Sequence, residues 1–211
     1  MAGVAAALAV AAVVVPLIVA GGDAYPSPFG DAGVLAAYVG AHPDALRVTA
    51  LLQFAASVPL AVLTASVVAR LHALGVRAAG AMIALVGGVA AATAAAVSAC
   101  AQWALSRLPE TSGEALPGLV RDVAFAAGGP WYVVGSGLLL AGIAVTAAYY
   151  GLLPRVLWIT GVALAVVSEL ATFVFVAPVA AYLIPVGRFG GLAWLVLVAV
   201  RLPRDRHGSR R

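Results

Sequence analysis

Glu169 is the one acid set well inside an apolar stretch of this 211-residue chain. Ser168 adjoins it, and Thr172, three residues on, shares its helical face. A carboxylate at mid-membrane costs about 2.5 to 3.5 kcal/mol on insertion scales, so it must be protonated, paired or hydrated. Arg188, Arg47 and Arg121 are the arginines expected at matching depth or just above. Thr49, Gln53 and Ser57 recur every four residues and make a polar stripe down one further segment. Together these residues predict an outward-opening polar pocket formed by Glu169, Arg188, Arg47, Gln53, Thr172 and Ser57. Arg188 is the expected ion-pair partner of Glu169, because the connection between their segments is short. Three chemistries fit such a pocket. The pair could be a static tie between helices, or part of a site for a small molecule or ion. It could also supply a general acid, Glu169, to an enzyme acting on a lipid or isoprenoid. The last is a thin catalytic set, since no second acid, nucleophile or metal cluster lies nearby in sequence.

The remaining inventory excludes several cofactor chemistries. All twelve basic residues are arginine, so no lysine can form a Schiff base or serve a phosphate-binding P-loop. Cys100 is the single cysteine, which rules out an internal disulfide and a thiolate metal site. His42, His72 and His207 all lie outside the middle of any apolar run, where a haem-clasping pair would have to sit. His42 and His72 fall at opposite interfaces and cannot share a metal. No cofactor and no metal is expected. Gln102 and Cys100 read as packing and interface residues, and Trp194 as a core or lipid-facing ring.

The setting for these residues is lipid. The chain is 64% hydrophobic and 9% charged, with a mean hydropathy of +1.09, whereas soluble domains carry about 25% charged residues. A bilayer core takes about 20 apolar residues as a helix. Six segments meet or approach that length, over residues 2–20, 45–71, 78–105, 130–150, 156–177 and 188–200. The expectation is an all-α polytopic membrane protein, six transmembrane helices in one bundle over residues 1–200, followed by a basic tail over 201–211. Residues 31–41 and 116–125 read as two short helices on the outer surface, with plain ordered loops as the alternative. Thirteen residues past Val156, Glu169 lies roughly 20 Å up its helix, in the outer half of the bilayer.

Orientation follows from arginine counts. With both termini cytoplasmic, eight arginines fall inside and Arg47, Arg107, Arg121 and Arg188 fall outside. Five of the inner set lie in the last eleven residues, where they are expected to touch anionic lipid rather than nucleic acid. An alanine- and arginine-rich chain without lysine suggests a GC-rich bacterial genome, and hence a bacterial inner membrane. Residues 1–20 could instead be a cleaved signal peptide, but they lack its positively charged start.

In lipid, helices associate through close packing and polar contacts. Gly80, Ala84, Gly88 and Ala92 predict a smooth groove on the third segment, with Gly135, Gly142 and Gly161 offering further close approaches. Pro59 interrupts the second segment, and Ser57 is the expected partner for the carbonyl it leaves free.

Three stretches are familiar: Leu152-Leu153-Pro154-Arg155, Ser168-Glu169-Leu170, and Pro185-Val186-Gly187-Arg188-Phe189-Gly190-Gly191-Leu192-Ala193-Trp194-Leu195. With Leu51-Leu52-Gln53-Phe54 and Val58-Pro59-Leu60, the chain resembles a family of uncharacterised multi-pass bacterial membrane proteins, a domain of unknown function with about six or seven spans. The resemblance implies a polytopic fold and no particular activity. A lipid or small apolar ligand is the expected partner of the pocket.

Overall fold

The computed structural model describes residues 1–109, 113 and 115–202. Glu110, Glu114 and the basic tail from Arg204 onward, with its expected contact to anionic lipid, lie outside the described residues. Among the described residues every regular element is helical. In chain order they are α1 (Ala2–Val19), α2 (Ala32–Ala41), α3 (Pro43–Ala73), α4 (Ala79–Leu105), α5 (Ala115–Ala126), α6 (Tyr132–Tyr149), α7 (Arg155–Leu170), α8 (Leu183–Pro185) and α9 (Gly191–Arg201).

Several of these run together. A wide π-type turn over Ala127–Trp131 joins α5 to α6, and a second over Val186–Gly190 joins α8 to α9. Tight 3₁₀ turns over Ala171–Phe175 and Pro178–Tyr182 extend α7 and precede α8. The result is six helices long and apolar enough to cross a membrane: Ala2–Val19, Pro43–Ala73, Ala79–Leu105, Ala115–Tyr149, Arg155–Phe175 and Pro178–Arg201. The protein is thus a six-helix polytopic membrane protein by length and composition.

Two span boundaries differ from the sequence reading, and both differences involve proline. Pro130, expected to open the fourth span, lies within the first π turn, and the helix instead begins at Ala115. Residues 116–125 are therefore continuous with span four. Pro185 similarly sits just ahead of the second π turn, and span six begins at Pro178 rather than near Arg188. Proline removes one backbone donor and crowds the carbonyl four residues back. Here a widened turn absorbs that conflict and the helix continues.

Helix α2 closes one end of the bundle. Asp31 caps it, its Oδ1 accepting from the Gly33 and Val34 amides at 2.7 and 3.3 Å. Leu35, Tyr38 and Val39 then pack with Ala20, Leu46 and Leu105 in a small apolar cluster of their own.

The main core is built on close glycine contacts. Helix α4 lies along both α3 and α6. A Cβ on Gly142 would come within 2.5 Å of the Ala84 amide, and one on Gly135 within 2.8 Å of the Ala91 amide. Gly80 and Gly87 meet α6 from the other side. The expected groove therefore forms, but it runs Gly80, Ala84, Gly87, Ala91. Gly88 instead faces Thr64 of α3. A strict four-residue repeat drifts about 40° per step around an α-helix, so it leaves the contact line after two steps.

Two polar ties finish the other half of the bundle. Trp194 is buried and its indole N–H donates to the Leu157 carbonyl at 2.8 Å, against Gly161, where a Cβ would overlap the ring. At the far end of α3, Arg70 donates to the Ala199 carbonyl at 3.4 Å and to that of Leu202, capping the end of α9.

Candidate functional site

The two π turns converge on a cavity at the end of the bundle that carries α2. Arg188 lies within the second π turn, ten residues into span six, or about 15 Å from its Pro178 end. An arginine at such depth is tolerated where it faces the bundle interior or a water-filled cavity. Here it does both. Its Nη1 donates to the Gly128 carbonyl in the first π turn at 3.3 Å. Its guanidinium carbon stands 4.5 Å from the centre of the Tyr132 ring, a cation–π arrangement.

Around Arg188 the space falls into connected lobes. One, of about 260 Å³, lies beneath α5 and is lined by Tyr25, Gln53, Ser98, Gln102, Arg121 and Arg188. Another, of about 370 Å³, shares Tyr25, Gln53, Gln102 and Arg188 and is walled on its far side by α1, from Ala9 to Leu17. A narrow slot continues from Gln53 and Arg188 toward Ala5 and Leu60.

The lining is short of acids. Asp23 borders the α1-side lobe but faces His42 Nε2 at 3.0 Å. Arg121 is 8% exposed, and its Nε pairs with Asp122 at 3.0 Å. Its Nη1 is buried with no hydrogen-bond partner, and so is Oε1 of Gln102. An unpaired buried polar atom costs roughly 1 to 3 kcal/mol. Both residues line the lobe under α5.

Tyr25 forms the outer lip. Its ring packs edge-on to Tyr38 at 5.5 Å. Although the residue as a whole is 39% exposed, desolvation of its hydroxyl at the lip raises it from the ordinary 10.0 to about 12, against the opposing effects of the Gln102 side chain and Arg121. It is a neutral hydroxyl at physiological pH.

The structure brings together two of the six predicted residues, Arg188 and Gln53. Glu169 does not join them. It is exposed on α7, among the described residues it makes no hydrogen bond or ion pair, and its Oε1 lies beside Gly137 of α6. The expected Glu169–Arg188 ion pair is absent. The bundle takes Ser168 as the inward residue of that turn, wholly buried and bonded to the Leu164 carbonyl at 2.8 Å. Its sequence neighbour is turned about 100° away. Thr172 is likewise exposed. Arg47 pairs with Asp44 at 2.8 Å on the rim. Ser57 is buried and donates to the Phe54 carbonyl, one residue before the Ala55 oxygen that Pro59 leaves free.

Four residues with polar side chains that line the lobe under α5 lie outside the predicted set: Tyr25, Ser98, Gln102 and Arg121. A signal for two of them was present. Ser98 and Gln102 are four apart on α4, the same spacing that marked Thr49 and Gln53 on α3.

No family model, curated protein or solved structure matches the chain, so the family resemblance is not supported by a match, and the six apolar helices carry the conclusion that this is a polytopic membrane protein.

Proposed function

We propose that this chain is a multi-pass protein of the bacterial inner membrane that binds a small molecule in the cavity around Arg188 and Gln53. It would act as a transporter-like component or as a subunit of a membrane complex. The observation that carries this reading is Arg188 itself. A guanidinium ten residues inside a span, lining open space with only a backbone carbonyl and a ring as partners, is costly unless something uses it. Binding needs no group that the cavity lacks, whereas the enzymatic alternative relied on Glu169, which stands outside it.

The test is to purify the wild type and Arg188→Ala in parallel and compare co-extracted small molecules by mass spectrometry. A compound retained by the first and lost from the second is the expected result. Identical profiles would overturn the reading.

Orientation completes the proposal. Arg70, Arg77, Arg155 and Arg201 lie at the end remote from α2, with four more arginines following Arg201 in sequence, and Arg47, Arg107, Arg121 and Arg188 lie toward the α2 end. The positive-inside rule then gives cytoplasmic termini and an outward-facing cavity. In a Cys100→Ser background, Gly22→Cys should react with a membrane-impermeant maleimide on intact cells and Arg77→Cys should not. The reverse pattern would invert the topology.

A further inference from the structure

The cavity's charge and its unpartnered atoms specify a ligand class, an inference that rests on the small-molecule reading above. We propose that it takes an amphiphile with an anionic head, a carboxylate or phosphate, seated between Arg121, Gln102 and Arg188, with its apolar chain laid along α1.

Three observations carry this. First, the lobe under α5 is lined by two arginines and no acid. Asp122 engages only the Nε edge of Arg121 and is itself largely exposed, while the buried Nη1 has no acceptor. Guanidinium donors are matched in geometry and charge by carboxylate and phosphate oxygens. Second, Gln102 lines the same lobe and its buried Oε1 has no donor. A protonated oxygen on the head, or a water bound to it, supplies one. The neutral hydroxyl of Tyr25 stands on the same lip and offers a further donor. Third, the lobe on the α1 side changes character away from the arginines. Its far wall is Ala9, Ala12, Val13, Pro16 and Leu17, and Val13 and Leu17 are also open to the outside of the bundle. A head held at the arginines therefore leaves its chain against an apolar wall that continues to the lipid-facing surface. A volume of about 370 Å³ accommodates a head and the first part of an alkyl chain.

The experiment is calorimetric titration of the full-length protein in a neutral, sugar-headed detergent. The probes are dodecyl phosphate, laurate, dodecanol and inorganic phosphate. Dodecyl phosphate and laurate should each bind at least about tenfold tighter than dodecanol, the scale of one charge-assisted hydrogen bond. The tighter of the two identifies the head. Arg188→Gln should remove the advantage. Gln102→Glu, which adds a carboxylate to the lobe that Arg121 lines and keeps the side chain's size, should remove it too. Gln102→Glu also guards against misfolding of the arginine variant.

Equal binding of dodecanol and the anionic probes would overturn the anionic assignment and leave the small-molecule reading intact. Inorganic phosphate binding as tightly as dodecyl phosphate would overturn the amphiphile and make the ligand a free anion. Failure of every probe, with a compound still lost from Arg188→Ala, would overturn this proposal alone. Failure of every probe with identical co-extracted profiles would overturn both.

Discussion

Arg188 reaches the Gly128 carbonyl at 3.3 Å, and the two residues lie in the only two π turns among the described residues. Neither turn is an accident of flexible chain. Each is adjacent to or contains a proline, and each widens the helix where the cavity opens. Wide turns of this kind present backbone carbonyls that a regular α-helix would keep in its own ladder. The relationship gives Arg188 one backbone anchor while leaving the rest of its donor fork toward the cavity.

Arg188→Leu is therefore expected to fold normally and to show unchanged or higher thermal stability in detergent. The substitution gives up one hydrogen bond and one cation–π contact, roughly 1 to 2 kcal/mol together. It also removes a charge whose placement at mid-membrane costs about 2.5 to 3.5 kcal/mol on insertion scales. A stability-driven role for Arg188 predicts the opposite, a clear fall in melting temperature, and differential scanning fluorimetry separates the two.

The absence of a Glu169–Arg188 pair leads to a second expectation. Glu169→Gln removes no hydrogen bond and no ion pair, and so should leave stability unchanged or raise it. Combined with Arg188→Leu, the two effects should add to within about 0.5 kcal/mol, as they do for independent sites. A coupling of more than about 1 kcal/mol in that double-mutant cycle would show that the side chains meet.

Much of this architecture was readable from residue pattern alone, and the exceptions share a cause. Six spans, the Gly80–Ala84 groove and the Gln53 stripe all follow from apolar run length and helical period, which are local properties. Pro130 reads as the first residue of span four, because proline suits a helix's first turn, and span six reads as opening at Arg188, just past Pro185. The neighbouring helices decide instead whether a π turn can absorb the proline. The same limit applies to Glu169. Its depth along the chain follows from counting, but which way it points depends on whether α6 receives it or Ser168. Gly137 has both side chains close by, and it is Ser168 that is wholly buried while Glu169 stays exposed. Isolation in an apolar run thus singled out an acid, while the cavity gathers around an arginine.

The glycine contacts give a structural prediction independent of ligand. Gly142→Ala pushes a methyl to 2.5 Å from the Ala84 amide and from the Gly80 carbonyl, both backbone atoms that cannot swing aside. Helices α4 and α6 must separate, and a loss of about 1 to 3 kcal/mol is expected. Gly161→Ala should cost a similar amount by displacing the Trp194 ring and stretching its bond to Leu157. Gly3→Ala, with open space around it, is the control and should be neutral or slightly stabilising. Equal melting temperatures for all three variants would contradict the packing described.

Tyr25 supplies the pH dependence. Burial at the cavity lip is the main cause of its raised value, about 12 against 10.0 for a free tyrosine, with the Coulombic influence of Tyr38 and Asp122 adding to it and Gln102 and Arg121 opposing. The sign follows directly. The folded state holds the neutral hydroxyl more firmly than the unfolded chain does, so the stabilisation is complete below pH 10 and disappears as pH rises from there through about 12. Tyr25→Phe should abolish that component of the alkaline transition while leaving the melting temperature near neutral pH little changed. Phenolate absorbance followed during the titration checks the assignment, since the wild type should show one more late-titrating tyrosine than the variant. An identical alkaline profile for both proteins would mean that the Tyr25 hydroxyl faces solvent, and the lip of the cavity would then lack its neutral donor.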